Sequence, residues 1–202
     1  MLKRVNAILL VAGAALSASV AHAESAIVFG GAGSFSASAR LDFAIVVPQF
    51  LQFQVGSVGA TIDLITFSVA AANVGSGAAQ SGTGGNSGGG TVTVNIKANS
   101  GQVTITPSNN GGGLGLGSGI AGYTIPYTEI LTASSAAGTL PAPTLSNTGG
   151  TAVMPALSAG TVTNRSATWT YTYGNTTVPN AGTYGTGGTA SGGRVTYTAS
   201  SP

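Results

Sequence analysis

Apolar and polar residues alternate along several short segments of the chain, most clearly in TVTVNIKA at residues 91–98. Val92, Val94, Ile96 and Ala98 occupy one side of this segment, and polar residues occupy the other. A period of two residues is typical of a β-strand that buries one face. The pattern therefore predicts a strand at 91–98 that packs against a core.

The longest alternating segment covers residues 35–47. Its apolar side consists of Phe35, Ala37, Ala39, Leu41, Phe43, Ile45 and Val47. Pro48 interrupts the pattern, because proline has no N–H to donate to a ladder, and residues 51–55 then continue it. Each large apolar side chain gains roughly 1.5–3 kcal/mol on burial. We therefore expect a long strand whose apolar face is covered, either by the chain itself or by another subunit.

Shorter alternating segments occur at 60–69, 123–131, 161–173 and 193–200. The turn-forming sequence NSG at 99–101 predicts a hairpin between 91–98 and QVTIT at 102–106. No window of about a dozen residues has a good helical stripe. Many short strands separated by turns predict an all-β protein, which we interpret as a single antiparallel β-sandwich of the immunoglobulin-like or jelly-roll type.

Two glycine-rich stretches, at 75–90 and 109–122, separate some of these strands. Such composition is typical of flexible chain. The apolar segments on either side of each stretch are too few to form a core alone. We therefore predict long surface loops within one domain rather than linkers between domains.

The N-terminus has the features of a secretory signal peptide. Lys3 and Arg4 precede an apolar stretch, and Ala21-His22-Ala23 forms an A-x-A cleavage site. We predict a signal peptide at 1–23 and a single sandwich domain at 24–202, without a further membrane span. The mature protein is then expected in the periplasm, outside the cell or on the cell surface.

Cleavage would also remove Lys3 and Arg4, which give the chain its net positive charge of +2, and the only histidine. Residues 24–202 contain four basic and four acidic residues, with no His and no Cys. Disulfides, thiol nucleophiles, histidine catalysis and the usual zinc sites are excluded by this composition. A neutral chain also gives no basis for binding nucleic acid. We therefore expect no enzymatic activity, no cofactor and no metal.

The remaining candidates for chemistry are three carboxylates, Asp42, Asp63 and Glu129. Two carboxylates can act together in glycoside hydrolysis when a fold brings them within several ångströms of each other. Each of the three, however, lies in or beside a strand pattern, where a lone acid usually faces solvent or pairs with a base. The structural interpretation is the stronger one.

Trp169, Tyr171 and Tyr173 share one face of a predicted strand, about 7 Å apart at each step. One interpretation is an aromatic platform that binds a sugar, which makes a glycan a candidate partner. The other is an ordinary core face, since threonines at 168, 170 and 172 would form the wet side. The second interpretation carries more weight, although a buried tyrosine needs a partner for its hydroxyl.

The segment ESAIVFGGAG at 24–33 stands apart from the following strand because of its glycines. Ile27 and Phe29 lie two residues apart, as in a short strand that inserts into a neighbour's groove. The alternative is an ordinary first strand or a frayed chain end. Residues 24–33 are thus a candidate donor arm.

The distribution of motifs resembles that of bacterial fimbrial and pilin-like secreted β-sandwich subunits, including spore-coat-U-like proteins. The similarity rests on LDFAIVVP at 41–48, IPYTEI at 125–130 and the closing PNAGTYGTGGTASGGRVTYTASSP at 179–202. The resemblance implies a final strand that lies against a strand donated from elsewhere. The residues then expected in subunit assembly are Ile27, Phe29, Phe35, Val195 and Tyr197.

Three functions remain open at this point. The first is a structural subunit of an extracellular filament, pilus or surface layer, which associates with itself or with other surface subunits through strand edges. The second is a secreted adhesive or carbohydrate-binding module that uses Trp169, Tyr171 and Tyr173. The third is a small outer-membrane β-barrel.

Overall fold

The computed structural model of the protein describes residues 25–117, 122–185 and 192–202. The predicted signal peptide lies outside these residues. The described strands are β1 (Leu51–Val55), β2 (Ile65–Thr66), β3 (Gln80–Ser81), β4 (Thr83–Gly84), β5 (Thr91–Ala98), β6 (Thr104–Asn109), β7 (Leu116–Gly117), β8 (Thr124–Ile125), β9 (Ile130–Ser134), β10 (Leu145–Ser146), β11 (Gly149–Gly150), β12 (Thr163–Tyr173) and β13 (Val195–Ser200). Two single turns of 3-10 helix cover Ala71–Asn73 and Tyr127–Glu129. The prediction of an all-β chain is confirmed.

The largest sheet is antiparallel and has β5 and β12 at its centre. Its order is β1-β5-β12-β3, and β9 also pairs with β12. Val92 lies opposite Trp169, and Val94 lies opposite Ala167. All four of these side chains are buried. The alternation at 91–98 therefore produced the strand that the pattern predicted, with the same bounds.

A second antiparallel pair, β6 and β13, contributes to the same hydrophobic core as the large sheet. Ile105 on β6 is fully buried, and Tyr197 and Ala199 on β13 pack against the same core. The hairpin predicted between 91–98 and 102–106 is therefore wrong. Both edges of β5 are already paired, with β1 and β12, so β6 pairs with β13 instead.

The glycine-rich stretch at 75–90 is more ordered than its composition predicts. It contains β3, which extends the large sheet at β12, and β4, which pairs with β2. Gly82 lies close to the backbone of Gly90, and a Cβ at position 82 would lie within 3.0 Å of the Gly90 Cα. Glycine here permits close packing rather than flexibility. Conversely, the strand predicted at 60–69 shrinks to Ile65–Thr66.

The chain divides after Val47 into two units. The second unit, Pro48–Pro202, contains all the strands given above. The described segment of the first unit, residues 25–47, has no regular secondary structure and all its residues are exposed. The strand predicted at 35–47 is therefore wrong for this structure. A strand requires a neighbour for its backbone hydrogen bonds, and none of the described strands pairs with this segment.

Among the described residues, no helix is long and apolar enough to cross a membrane.

Candidate functional site: an apolar groove and an uncovered apolar segment

The second unit contains an open groove of about 1670 Å³. Its lining includes the end of β1 with the irregular segment after it, and also β13 and residues 179–185. Its apolar lining includes Phe53, Val55, Ile62, Leu64, Leu116 and Val195. Side chains of this kind gain free energy when they leave water. The groove is thus suited to an apolar occupant.

Tyr127, Tyr171 and Tyr197 belong to the lining of the groove, and this aromatic part of the lining is called its base below. The Trp169 ring meets the Tyr197 ring edge-on, with 5.3 Å between ring centroids. The hydroxyls of Tyr171 and Tyr197 are hydrogen-bonded at 2.9 Å. The Tyr127 hydroxyl donates to the Gly192 carbonyl oxygen. These contacts fix the rings, so the base is a rigid surface.

Burial keeps these hydroxyls neutral. Desolvation raises the pKa of both Tyr127 and Tyr171 to about 12. Burial also raises the pKa of Tyr197 well above its ordinary value, and the nearby Tyr171 adds to the effect. At neutral pH all three groups are therefore uncharged hydrogen-bonding hydroxyls rather than phenolates.

Two buried polar atoms that border the groove have no hydrogen-bond partner among the described residues. They are the Tyr173 hydroxyl and the Arg194 Nε. A buried polar atom without a partner costs roughly 1–3 kcal/mol. Desolvation also raises the pKa of Tyr173, and the carboxylate of Glu129 adds to that rise. An occupant with polar backbone groups would complement both atoms.

The rim beside β1 is held by a turn that requires glycine. Gly56 has φ of +83°, and a Cβ there would lie 2.1 Å from the Asp63 Oδ2. The same carboxylate accepts hydrogen bonds from the Ser57 N–H and, at 2.8 Å, from the Ser57 hydroxyl. Asp63 therefore has a structural role at this rim.

Another part of the lining, at residues 71–74, is held by Asn175, which lies just after β12. Asn175 is fully buried and adopts φ of +53°. Its amide nitrogen donates to the Asn73 carbonyl oxygen at 2.7 Å, and its amide oxygen accepts from the Gly75 N–H at 2.9 Å. These bonds tie the 3-10 turn at 71–73 to the end of the large sheet.

Glu129 also has a structural role. It is buried, and its carboxylate accepts hydrogen bonds from the backbone N–H and the hydroxyl of Thr176. Asp42, by contrast, lies in the exposed first unit. Within the described ranges no cluster of three or more acidic, histidine or cysteine residues is arranged to hold a metal ion. The Asp63 carboxylate is thus engaged with Ser57 and the Glu129 carboxylate with Thr176.

The structure brings four of the sequence-predicted site residues to one place. Tyr171, Tyr173, Val195 and Tyr197 all border the groove. Trp169 is not part of the lining and is completely buried, so neither face of its ring is open in this structure. This burial agrees with the interpretation of 169–173 as a core face. Binding of a sugar by the three rings stays a prediction.

The other predicted assembly residues, Ile27, Phe29 and Phe35, are exposed in the first unit. The same unit carries a second exposed apolar series that was not predicted to be a site: Leu41, Phe43, Ile45 and Val47. Phe43 and Ile45 are 86% and 88% exposed. The alternation of this series was visible in the sequence, but the absence of a strand partner was not.

The outer lining of the groove was also not recognised from the sequence. Ile62 and Leu64 were placed in a predicted strand at 60–69, on the face opposite Ile65 and Phe67; they lie outside the short strand that forms, and their side chains are 65% and 57% exposed. Only the partly buried Ile65 and Phe67 of this segment pack against the core. A pattern of apolar residues does not show whether the opposing surface belongs to the same chain.

Comparison of the chain with protein-family models, with curated proteins and with solved structures found no significant match.

Proposed function

We propose that the mature protein is a non-enzymatic, exported structural subunit of an extracellular filament, pilus or cell-surface layer. In this proposal the large sheet and the β6–β13 pair form a single β-sandwich, and subunits associate through strand edges. The export signal is the one predicted at residues 1–23.

The observation that carries the proposal is a pair of complementary surfaces in one chain. The first unit exposes an alternating apolar series, and the second unit has an open apolar groove. A monomeric soluble protein rarely leaves large apolar patches uncovered. A chain with one surface of each kind can form head-to-tail contacts, and such contacts produce open filaments when the rotation between subunits does not close a ring.

The electrostatics of the protein are consistent with this role. Residues 24–202 carry no net formal charge. Association of many copies then proceeds without strong mutual repulsion. The absence of His and Cys from the same residues leaves few groups that could run a reaction.

A second candidate function is an adhesive or carbohydrate-binding module. One observation favours it: the unpartnered Tyr173 hydroxyl and the Tyr184 side chain border the same groove. Tyrosine combines an apolar ring with a polar tip and is common where sugars or peptides bind. In this case the protein would remain a monomer with an accessible groove.

The mature protein, purified at increasing concentration, distinguishes the two candidates. The structural role predicts polymers whose length grows with concentration, measured by size-exclusion chromatography with light scattering and by electron microscopy. A monomer at all concentrations that binds an oligosaccharide would contradict the structural role and support the second candidate.

A further inference from the structure

We propose that the part of the groove beside Tyr173 binds the ammonium group of a small apolar amine, whose hydrocarbon chain lies along the apolar lining. The aromatic rings of this site are those of Phe67, Tyr173 and Tyr184. Its negative charge is that of the buried Glu129 carboxylate. This inference goes beyond the filament role and does not depend on it.

The register of the large sheet brings Tyr173 and Glu129 to the same place. Tyr173 is the last residue of β12 and lies opposite Ile130, the first residue of β9. Glu129 directly precedes Ile130, and its carbonyl oxygen accepts a hydrogen bond from the Gly174 N–H at 2.7 Å. A Cβ at Gly174 would lie 3.0 Å from the Glu129 Oε2. The carboxylate is therefore next to the end of β12.

Three aromatic side chains belong to this part of the lining. The ring centroids of Phe67 and Tyr173 are 6.3 Å apart, and the ring planes are tilted by 41°. The Tyr184 hydroxyl donates to the Asn180 carbonyl oxygen at 2.7 Å, which fixes the Tyr184 ring on its loop. Tyr184 is also close enough to Tyr173 to raise the pKa of its hydroxyl. The faces of such rings attract organic cations.

The Tyr173 hydroxyl indicates that the occupant has a polar group. Tyr173 is 5% exposed, and its hydroxyl has no hydrogen-bond partner among the described residues. Buried polar atoms are hydrogen-bonded in the great majority of cases. A hydroxyl oxygen has two lone pairs, so it can accept a hydrogen bond from an ammonium N–H.

The charge next to this hydroxyl is negative. Glu129 is 7% exposed, and its carboxylate accepts hydrogen bonds from the N–H and the hydroxyl of Thr176, which are both neutral donors. These donors leave the negative charge uncompensated. A buried charge is stabilised by an opposite charge nearby. An ammonium group would supply that charge, whereas a carboxylate would add a second negative one.

The positive charge of Arg194, which also lines the groove, does not act on this hydroxyl. Burial, the Glu129 carboxylate and Tyr184 all raise the pKa of Tyr173. A guanidinium close to the Tyr173 hydroxyl would lower that pKa instead. The Tyr173 part of the groove is therefore suited to a cation.

A metal ion fits these groups less well than an organic cation does. Calcium takes six or more oxygen ligands, several of them usually carboxylates. Both oxygens of the Glu129 carboxylate already accept hydrogen bonds from Thr176. An ammonium group needs only a few acceptors, and the rest of the groove offers apolar surface to a hydrocarbon chain.

Three ligands with the same hydrocarbon chain test the sign of the charge: octylammonium, octan-1-ol and octanoate. Each is titrated calorimetrically into the mature protein at concentrations too low for association. Octylammonium should bind at least about tenfold more tightly than octan-1-ol, because it adds a cation–π contact and a charge-assisted hydrogen bond. Octanoate should bind most weakly. Equal affinities for octylammonium and octan-1-ol would overturn the inference.

Two variants locate the site. Glu129→Gln removes the charge but keeps the shape of the side chain, and it should weaken octylammonium binding about tenfold. Tyr173→Phe removes only the hydroxyl and should also weaken octylammonium binding about tenfold. Neither variant should change the affinity for octan-1-ol by more than about twofold. The matched control, Asp42→Asn, removes one negative charge from the exposed first unit and should leave all three affinities unchanged.

The decisive quantity is the ratio of the octylammonium affinity to the octan-1-ol affinity within one variant. Glu129 and Tyr173 are buried, so urea unfolding first establishes that each variant is folded. A partial loss of structure would lower both affinities and leave their ratio unchanged. A ratio in Glu129→Gln equal to that of the wild type overturns the inference. An equal fall of the ratio in Asp42→Asn overturns it too.

Amide NMR spectra show where the amine binds. Octylammonium should shift the signals of Tyr173, Gly174 and Thr176. Shifts confined to residues 25–47 would mean that the amine binds the exposed first unit, and the proposed site would be wrong.

The filament role is tested separately, by the growth of polymers with protein concentration. Polymer growth without a preference for octylammonium leaves the filament role standing and overturns this site. A preference for octylammonium in a protein that stays monomeric leaves this site standing and contradicts the filament role.

Discussion

Residues 91–98 and residues 41–47 have the same alternation but opposite surroundings. Ile96 lies in the centre of a sheet, paired on both sides and fully buried. Ile45 has the same side chain at an equivalent place in its own pattern, and it is exposed. The comparison shows that alternation encodes the capacity to form a strand, whereas a neighbour with a free edge determines whether the strand forms.

The largest expected effect compares these two isoleucines directly. Ile96→Ala should lower the free energy of unfolding by about 2–5 kcal/mol, because a buried side chain is lost and a cavity remains. Ile45→Ala should change it by less than about 0.5 kcal/mol, as for an ordinary surface position. Urea unfolding, measured at protein concentrations too low for association, gives both values. Equal losses in the two variants would mean that Ile45 is buried in the monomer.

The comparison also explains how much of the structure the sequence could reveal. TVTVNIKA became β5 with its predicted bounds, since local pattern and tertiary partners agree there. The hairpin after it was not formed, because NSG is compatible with a turn but does not specify which strand lies beside β5. The pairing of β6 with β13, about ninety residues later, leaves no short-range signal.

The candidate site was visible only in part for the same reason. Tyr171, Tyr173, Val195 and Tyr197 carry recognisable patterns, and each borders the groove. Ile62 and Leu64 belong to a segment with the pattern of a strand, but both side chains are exposed in this structure. A groove is a relation between distant segments, so no local pattern predicts it.

A second test uses pH to probe the buried base of the groove. Burial raises the pKa of Tyr171 to about 12, whereas an unfolded tyrosine titrates near pH 10. The unfolded state therefore loses its proton first, and stability that is fully present below about pH 10 is lost as pH rises toward 12. The full loss is roughly 2–3 kcal/mol for this group.

Urea midpoints at about pH 8, 10 and 11.5 measure this loss. Tyr171→Phe should flatten the decline above pH 10, because the titrating hydroxyl is removed. Thr168→Val, on the same strand and without a titrating group, serves as the control and should leave the decline unchanged. A decline of the same steepness in Tyr171→Phe would show that the Tyr171 hydroxyl is not the group responsible.

A smaller effect is expected at the rim where β1 ends. Gly56→Ala places a side chain at φ of +83° and against the Asp63 carboxylate. The strained backbone should cost about 1–2 kcal/mol of unfolding free energy. Gly59→Ala is the matched control, because Gly59 also has positive φ but a Cβ there meets nothing within 4 Å. The difference between the two variants measures the collision with Asp63, and equal losses would leave backbone strain as the whole effect.

The smallest expected effect concerns Pro48–Phe50, the joint between residues 41–47 and β1. Asn99→Ala removes the two side-chain hydrogen bonds to Pro48 and Phe50. It should lower the free energy of unfolding by about 0.5–1.5 kcal/mol, because the lost bonds are solvent-exposed and water replaces them in part. Asn95→Ala, on the same strand, removes one hydrogen bond to Gln54 and leaves the joint intact.

The two variants should differ in the behaviour of Pro48–Phe50 more than in global stability. Amide hydrogen exchange at Phe50 should accelerate in Asn99→Ala and remain slow in Asn95→Ala, since only the first variant frees the Phe50 N–H. Unchanged protection of Phe50 in Asn99→Ala would mean that other contacts hold the joint. In that case Pro48 alone would mark the boundary between β1, which pairs with β5, and residues 41–47, which pair with none of the described strands.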